Sequence, residues 1–559
     1  MVKHLLKQKI SDKFPGTDFD ILIPPDDKMG DYSVNVAFVV AKSEGKDPMA
    51  VGDEIVADLG KDEDLADVFE KIETVKPGFI NFYFKDDFLR EKLGEISKEK
   101  KYGLNETMKG KTVMVEYTDP NPFKLFHIGH LMSNTIGEAV SRLYEASGAK
   151  VLRANYQGDV GLHIAKAIWG MKQNEGKMPK ENDDLKKKVE FLGKSYADGA
   201  SAYENLEFKE EIEKINEKVY DRSDEEINKL YDLGKKWSLD YFETVYKKLG
   251  TKFDRYFFES GAASDGLDIV KKHPDVFVES DGATVFRGEE HGLHTRVFVS
   301  SKGLPTYEAK ELGVNKKKFE NDSPDLSVII TGNEINNYFK VLLKVMELTM
   351  PDVAAKTKHI SHGMLRLPGG KMSSRTGEVI TADSLIEQAK NKLPESESEK
   401  AREKIAIGAI KYSILKQSPG HDIIFDFEKS LSVKGDSGPY LQYTYARLFS
   451  ILRKAEQENY ELRITNYELL NHELELKLIK RLLMFPDTVL ESSEKIIPQH
   501  LVLYLYELSN DANRFYESVR VLDDEDNNKR MTRLVLISTV SAVLKTGLNL
   551  LGIEVLERV

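Results

Sequence analysis

"VEYTDPNPFKLFHIGHL" spans Val115–Leu131, and its reading decides the fold of the middle of the chain. The residues leading into it, "TVMVEYT" (Thr112–Thr118), alternate like a strand, and "DPNPF" breaks that strand with two prolines. A helical stretch then runs from about Leu131 to Gly148, with Ile136, Ala139, Val140 and Leu143 on one face at i, i+3, i+4 and i+7. "KVLRANYQGD" (Lys150–Asp159) reads as the next strand. The unit is β-loop-α-β, with His127 and His130 at the mouth of the helix.

Two histidines around a glycine at a helix N-terminus suit a polyphosphate. The helix end offers unpaired N–H groups and the positive end of a dipole, Gly129 allows close approach, and imidazoles donate to oxygens. A histidine standing alone is more often structural, so the tetrapeptide needs company. "GGKMSSRTGEV" (Gly369–Val379) supplies it: two glycines, Lys371, two serines and Arg375 make up a loop that can close over phosphates.

Outward from this centre, residues 1 to about 100 read as a small α/β unit ending in "KPGFINFYFKDDFLREKL", where Phe79, Asn81 and Tyr83 share one face of a strand. "SKEKKYGLNETMKGK" (Ser97–Lys111) reads as a linker. From about Asn182 to Leu249 the chain is Lys/Glu-rich and helical, an insertion or helical layer on the central domain. Strand patterns return in "TRVFVSSKGLPTY" (Thr295–Tyr307) and "DLSVIITGNE" (Asp325–Glu334). After about residue 400 the chain is helical, and Leu505, Leu508, Ala512, Phe515, Val519 and Leu522 repeat at steps of three and four, the seam of a bundle.

Composition bounds the function. A chain of 559 residues divides into roughly three or four domains, and 40% hydrophobic with 31% charged residues describes a globular protein. The longest apolar run near the C-terminus, Leu534–Leu544, is shorter than the roughly 20 residues of a bilayer span, so no membrane helix is expected. The N-terminus, "MVKHLLKQKISDKF", does not read as a secretion signal, and a cytoplasmic location is expected. Zero cysteines exclude disulfides, thiolate nucleophiles and thiolate zinc sites. The net charge of −12 argues against a nucleic-acid partner, yet 81 basic residues are present and can cluster.

With both motifs in view, the chain resembles the class I aminoacyl-tRNA synthetases, whose signatures are a HIGH tetrapeptide followed by a KMSKS loop. Here they stand as "HIGH" at 127–130 and "KMSSR" at 371–375. The resemblance narrows to the arginyl-tRNA synthetases and covers nearly the whole chain. "VEYTDPNPFKLFHIGHL" is similar to that family's segment before HIGH, "MGDYSVNVAF" and "KPGFINFYF" to its N-terminal domain, and "DSGPYLQYTYARLFSILRKA", "FYESVRVL" and "GLNLLGIEVLERV" to its anticodon-binding domain.

The resemblance implies a Rossmann-like (HUP-type) α/β parallel-sheet catalytic domain over 101–390, with the helical insertion at about 182–250. It also implies a small α/β N-terminal tRNA-binding domain over 1–100 and an all-α anticodon-binding bundle over 391–559. The implied reaction joins L-arginine to ATP as arginyl-adenylate, releasing pyrophosphate, then passes arginine to the terminal adenosine of tRNA(Arg). Lys124, His127, Gly129, His130, Lys371 and Ser373 are implied to be catalytic, and Met372 and Ser374 join the histidines, Gly129 and Lys371 on ATP. Arginine would be held by Glu116, Asp119, Asn121, His127, Tyr307 and Glu311. A guanidinium is a planar fork of donors, and carboxylates with an aromatic wall suit it. Magnesium is expected with ATP, no zinc or other resident metal is expected, and the family is mostly monomeric.

Tyr440, Tyr443, Tyr445 and Tyr516 could stack on anticodon bases; at least half should be core, and Tyr516 is the preferred contact. Four positions depart from the family pattern. Ser374 replaces the second lysine of KMSKS, for which Lys124 compensates. Glu311 replaces Asp, Ile335 stands where Gln or His is frequent, and Val559 ends the chain in place of Met. Two other readings remain: a nucleotidyltransferase, which shares HxGH but is generally shorter and lacks the bundle, and a synthetase-like RNA-binding scaffold, which should show a damaged site.

Overall fold

Five strands, all parallel, form the central sheet of the computed structural model, which describes residues 2–24, 26–368, 380–464 and 466–558. Across the sheet the order is Thr357–His362, Leu326–Gly332, Thr112–Glu116, Lys150–Gln157 and Arg255–Phe258. The strand that comes first in sequence is therefore central, and the chain order reverses beside it. In such sheets the crevice beyond the carboxyl ends at the reversal is where ligands bind. Val113, Met114 and Val115 are fully buried, as a central parallel strand covered on both faces requires.

The helix after the central strand runs Ile128–Ala146, starting three residues before the expected Leu131. The reason is an unusual cap: the side chain of His127, rather than Ser, Thr, Asp or Asn, accepts from the first turn. Ala139, Val140 and Leu143 are buried as their spacing predicts.

The insertion consists of three helices, Leu185–Ala202, Leu206–Asp221 and Glu225–Leu249. They surround Leu162–Gln173 with an apolar cluster of their own that includes Trp169, Leu192, Ile212 and Trp237. The strand pattern of "TRVFV" lies outside the central sheet: Arg296–Val299 belongs to a three-stranded antiparallel sheet with Val278–Ser280 and Ala283–Phe286. Leu326–Gly332 is a member of the central sheet.

The N-terminal unit is a four-stranded antiparallel sheet, ordered Ile21–Leu22, Tyr32–Val34, Phe79–Phe84 and Phe69–Val75. Ile80 and Phe82 are fully buried and Phe84 nearly so, which sets Phe79 and Tyr83 on the more open face. This unit packs on the C-terminal bundle. Asp31 pairs with Lys480 at 2.8 Å, and the Arg90 Nε–H donates to the Leu470 carbonyl at 2.9 Å. The stretch Ser97–Lys111 is packed rather than free: Tyr102 is buried with its hydroxyl donating to the Leu482 carbonyl at 2.9 Å, and the Asn105 N–H meets the Ala146 carbonyl.

The bundle contains Glu399–Leu415, Gly438–Gln457, Glu473–Glu494, Gln499–Ser518 and Asn527–Leu550. Leu505, Leu508, Ala512 and Phe515 form the predicted seam, while Val519 and Leu522 lie past the end of their helix. Asn527–Leu550 is long and apolar enough to cross a membrane by composition, but 78% of its most apolar window is buried within the bundle.

One seam joins bundle and catalytic domain. Lys411, almost fully buried, donates to the carbonyls of Leu249 at 2.6 Å and Gly552 at 2.7 Å, each at the C-terminal end of a long helix. Arg142, on the helix that His127 caps, reaches the carbonyls of Asn549 at 2.7 Å and Gly250 at 3.1 Å. Positive charge at two helix C-termini matches their dipoles.

Candidate active site

The loop from the central strand to the capped helix is under backbone strain. Thr118, Asp119 and Phe123 all have positive φ, at 81°, 44° and 67°, where residues with side chains are rarely found. Each is over-determined by hydrogen bonds. The Thr118 N–H donates to Ser133 Oγ at 2.9 Å, and the Phe123 N–H to Ser238 Oγ at 2.9 Å. Asp119 and Asn121 act as braces: Asp119 Oδ1 accepts from the Tyr156 N–H at 2.8 Å and Asn121 Oδ1 from the Gly158 N–H at 3.0 Å. Any side chain at Gly158 would collide with Asn121 and Glu259.

At the helix mouth the two imidazoles stack, centroids 3.6 Å apart. His127 Nδ1 accepts the Gly129 N–H at 3.1 Å, and His130 Nδ1 accepts the His127 N–H at 3.2 Å. Gly129 is required here, because a Cβ would press on the His127 ring at 2.9 Å. Burial, helped by Lys124, lowers His127 to about 4 and holds His130 well below the ordinary imidazole range. Both rings are therefore neutral at pH 7. A backbone N–H can only donate, so Nδ1 is the bare nitrogen and the proton sits on Nε2 of each ring. The result is a pair of N–H donors without net charge at the positive end of a helix.

Lys124 lies in the same loop, its Nζ 5.2 Å from the centre of the Tyr196 ring, and burial lowers its pKa while Glu259 opposes the shift. Lys371, Met372, Ser373 and Ser374 lie outside the described residues, as does Val559. The chain following 379 is sewn to the motif: the Ile128 N–H donates to the Ile380 carbonyl, and the Ala382 N–H to that of Phe126.

Around the end of the central strand is a cluster of carboxylates, of which Glu116, Glu259 and Glu311 are buried and Asp119 is half-buried. Glu116, at 1% exposure, is paired with the fully buried Lys318 at 2.7 Å. Glu259 is paired with Lys310 at 2.7 Å. Between these pairs lie Asp119 and Glu311, neither of which forms an ion pair among the described residues. Burial and the nearby Glu116 push Glu311 up to about 8 and Asp119 well above the usual carboxylate range. Asn315, 3.4 Å from Glu311 Oε1, is a weak partner. A cation bound beside them would lower both toward the ionised state.

Tyr307 opens the helix Tyr307–Asp322 and is half exposed, with Lys310 Nζ 5.2 Å from its ring centre. Ile335 is on a neighbouring turn and 36% exposed. Tyr156, whose buried hydroxyl has no hydrogen-bond partner among the described residues, and the lysines 310 and 318 are pocket members that sequence reasoning missed. A signal for Lys318 existed: it follows Glu311 by seven residues on one helix face. It was hidden in the run Lys316–Lys318, of which the other two turn outward to Asp265.

In the bundle, Tyr445 is buried, while Tyr440 is half-buried and donates to Asn510 Oδ1 at 2.8 Å. Tyr516 is 43% exposed with the Arg447 guanidinium 5.2 Å from its ring centre. Tyr443, Arg453, Lys454 and Arg520 line the same groove, together with the acidic Glu458, Glu517 and Asp523.

A sheet reversed at its central strand, a strained loop and a donor pair at the following helix define the catalytic domain of a class I aminoacyl-tRNA synthetase. The family described as tRNA synthetases class I (R), catalytic domain, matches residues 93–427; the DALR anticodon binding domain matches 441–559 and the arginyl tRNA synthetase N-terminal domain 1–84. The chain belongs to the arginyl-tRNA synthetase family. It is 34% identical to an arginine–tRNA ligase of Treponema denticola over 98% of this chain and 96% of that one. It is 32% identical to one of Clostridium kluyveri over 96% and 95%. Among solved structures it is similar to the arginyl-tRNA synthetase of Thermus thermophilus, at TM-score 0.84, 25% identity and full coverage of both chains. The Plasmodium falciparum arginyl-tRNA synthetase shares the fold at TM-score 0.78 and 22% identity, over 100% of this chain and 98% of that one.

Proposed function

We propose that the protein is an arginine–tRNA ligase, converting ATP to AMP and pyrophosphate as it charges tRNA(Arg) in the cytoplasm, and that it acts as a monomer. The observation that supports the substrate assignment is the gathering of buried Glu116 and Glu311 with half-buried Asp119 around the end of the central strand, in the domain whose capped helix carries two neutral N–H donors. A guanidinium supplies a balancing charge and five donors, and Tyr307 supplies an aromatic wall.

In the first step an oxygen of the arginine carboxylate bonds to the α-phosphorus of ATP, and the bond to the bridging oxygen breaks as pyrophosphate leaves. Charge grows on phosphate oxygens, so catalysis is positioning and electrostatic stabilisation. His127 and His130 donate Nε2–H to those oxygens without themselves changing charge. Lys124 supplies a cation on the same side, offsetting Ser374, and Lys371, Met372 and Ser373 complete the phosphate contacts. Magnesium arrives on the ATP phosphates. The histidines and Lys124 are donors suited to anions, and the described residues contain no cluster of three metal-binding side chains. In the second step a terminal ribose hydroxyl attacks the activated carbonyl and AMP leaves. Asn121 would orient the amino acid, and Tyr516 would stack on an anticodon base.

The test is charging of an arginine tRNA transcript with labelled arginine, ATP and magnesium, with lysine as control. Arginine-specific charging is expected. A folded protein that binds the tRNA but charges neither amino acid would overturn the reading in favour of a non-catalytic RNA-binding role.

A further inference from the structure

Two buried oxygens of the carboxylate cluster make no hydrogen bond among the described residues, Glu116 Oε2 and the hydroxyl of Tyr156. The Lys318 ammonium, 2.7 Å away, meets the charge of the first. Nothing among the described residues meets the second. Buried polar groups are nearly always paired in a folded protein, so a buried hydroxyl left over marks a place that something else completes. We propose that the Tyr156 hydroxyl is a contact for the substrate guanidinium, accepting one N–H of that group while the carboxylates accept others, and that Tyr156 is thereby a specificity-determining residue for arginine. The proposal rests on the reading of this cluster as the arginine site.

The tyrosine is fixed where it stands. Its N–H donates to Asp119 Oδ1 at 2.8 Å, it is paired in register with Phe257 of the next strand, and its half-buried ring packs on the apolar cluster of Met114, Leu152, Ala154 and Phe257. A phenol oxygen moves only with its ring, so this one cannot turn aside to find a partner. Around it stand Glu116 at the end of the central strand, Glu259 and Glu311 on two helices, and Tyr338 on a third. Burial, and then the charges of Glu259 and Glu311, hold the hydroxyl protonated far above neutral pH, so it is a neutral group with a lone pair to offer.

The ligand that suits this arrangement is planar, cationic and rich in donors. A guanidinium carries five N–H groups in one plane, so it can give one to a fixed hydroxyl and others to carboxylates at the same time. An ammonium gathers its three donors on one atom and cannot reach oxygens spread over separate elements as well. Because the guanidinium is remote from the carboxylate that reacts, the contact is the same in the ground and transition states. Its loss should therefore raise KM for arginine and leave kcat. The effect on the fold has the opposite sign. Removing a buried hydroxyl that has no partner takes nothing from the substrate-free protein, so the melting temperature should stay or rise by about 1–2 °C.

The experiment is Tyr156→Phe in the full chain, which removes the oxygen and keeps the ring. Wild type and variant are compared by steady-state charging of an arginine tRNA transcript and by thermal unfolding without substrate. Inhibition by agmatine, the amine that arginine becomes without its carboxylate, reports on the guanidinium end alone. KM for arginine and the agmatine inhibition constant should both rise about tenfold or more, with kcat within about threefold and KM for ATP within about twofold. An arginine KM within about twofold of wild type would mean that water completes the hydroxyl, and would overturn the proposal. So would equal rises in KM for arginine and ATP, or a melting temperature lowered by several degrees, which would reveal a partner inside the free protein. Agmatine unmoved while arginine weakens would put the hydroxyl at the other end of the substrate, with the same result. Wild-type charging separates the two claims. If wild type does not charge arginine the functional reading fails, and if it does while Tyr156→Phe keeps its arginine KM only the role of Tyr156 fails.

Discussion

The molecule buries two lysines in opposite ways. Lys318 faces the Glu116 carboxylate, with Asp119 and Glu311 nearby, whereas Lys411 faces backbone carbonyls at two helix ends and has no carboxylate at ion-pair distance among the described residues. Burial accordingly lowers Lys411 to about 8, helped by Arg142. The carboxylate cluster sets four acids, Glu116, Asp119, Glu259 and Glu311, against two lysines, Lys310 and Lys318, a balance that a cationic ligand suits. The seam is complete without any ligand, and its charge serves cohesion. If that contrast is right, changes in the two regions must separate by readout: binding and chemistry for the pocket, stability for the seam.

The largest effect belongs to the loop before the capped helix. Lys124→Ala should slow adenylate formation, measured by pyrophosphate exchange, by about 10²–10³-fold with an unchanged melting temperature, since the cation acts on the developing charge. A near-normal rate would remove Lys124 from the mechanism. Next comes Glu311→Gln, which should raise KM for arginine about 10–100-fold and leave KM for ATP alone. The same change should stabilise the substrate-free protein. Glu311 ionises at its ordinary 4.5 in the unfolded chain and near 8 in the folded one, so its contribution worsens as pH rises from 4.5 to 8. At pH 7 its removal should gain about 1–2 kcal/mol in denaturant unfolding. A loss of stability instead would break the account of Glu311 as a carboxyl that burial holds against ionisation.

In the seam, Lys411→Met should cost about 2–4 kcal/mol, because two buried carbonyls lose their donors, with both substrate KM values unchanged. A selective rise in KM for arginine would erase the distinction between the regions. A separate expectation, spread over several residues, is acid sensitivity. His127 and His359 are lowered from 6.5 to about 4 and His163 to about 3. The unfolded chain takes up protons below about 6.5 that the folded one refuses, so stability should fall as pH drops from 6.5 toward 4, at about 1.4 kcal/mol per unit for each histidine. Thermal unfolding across that range checks it, and replacement of His127 by Asn should flatten the curve.

The two regions also differ in how far the sequence reveals them. The β-loop-α-β unit was legible because strand alternation, two prolines and a 3.6-residue period stand next to one another between Thr112 and Gly148. The histidines were legible as a phosphate site for the same local reason, although their tautomers needed the backbone contacts of Gly129 and His127. Glu116, Asp119 and Glu311 entered only through family resemblance, since an isolated carboxylate carries no mark of burial. Asp119 and Asn121, expected as substrate contacts, also turned out to brace the backbone at Tyr156 and Gly158, and hydrogen bonds between distant segments have no local pattern. Lys411 and the docking of the first domain on the last were invisible for that reason as well.

That docking has a consequence for how the chain is made. Arg90 and Tyr102 find their partners Leu470 and Leu482 some 380 residues later. At about 5–20 residues per second, the N-terminal domain leaves the ribosome on the order of 20–80 s before the helix it rests on exists. During that interval its bundle-facing surface is uncovered, and the first domain to fold is the last to be enclosed.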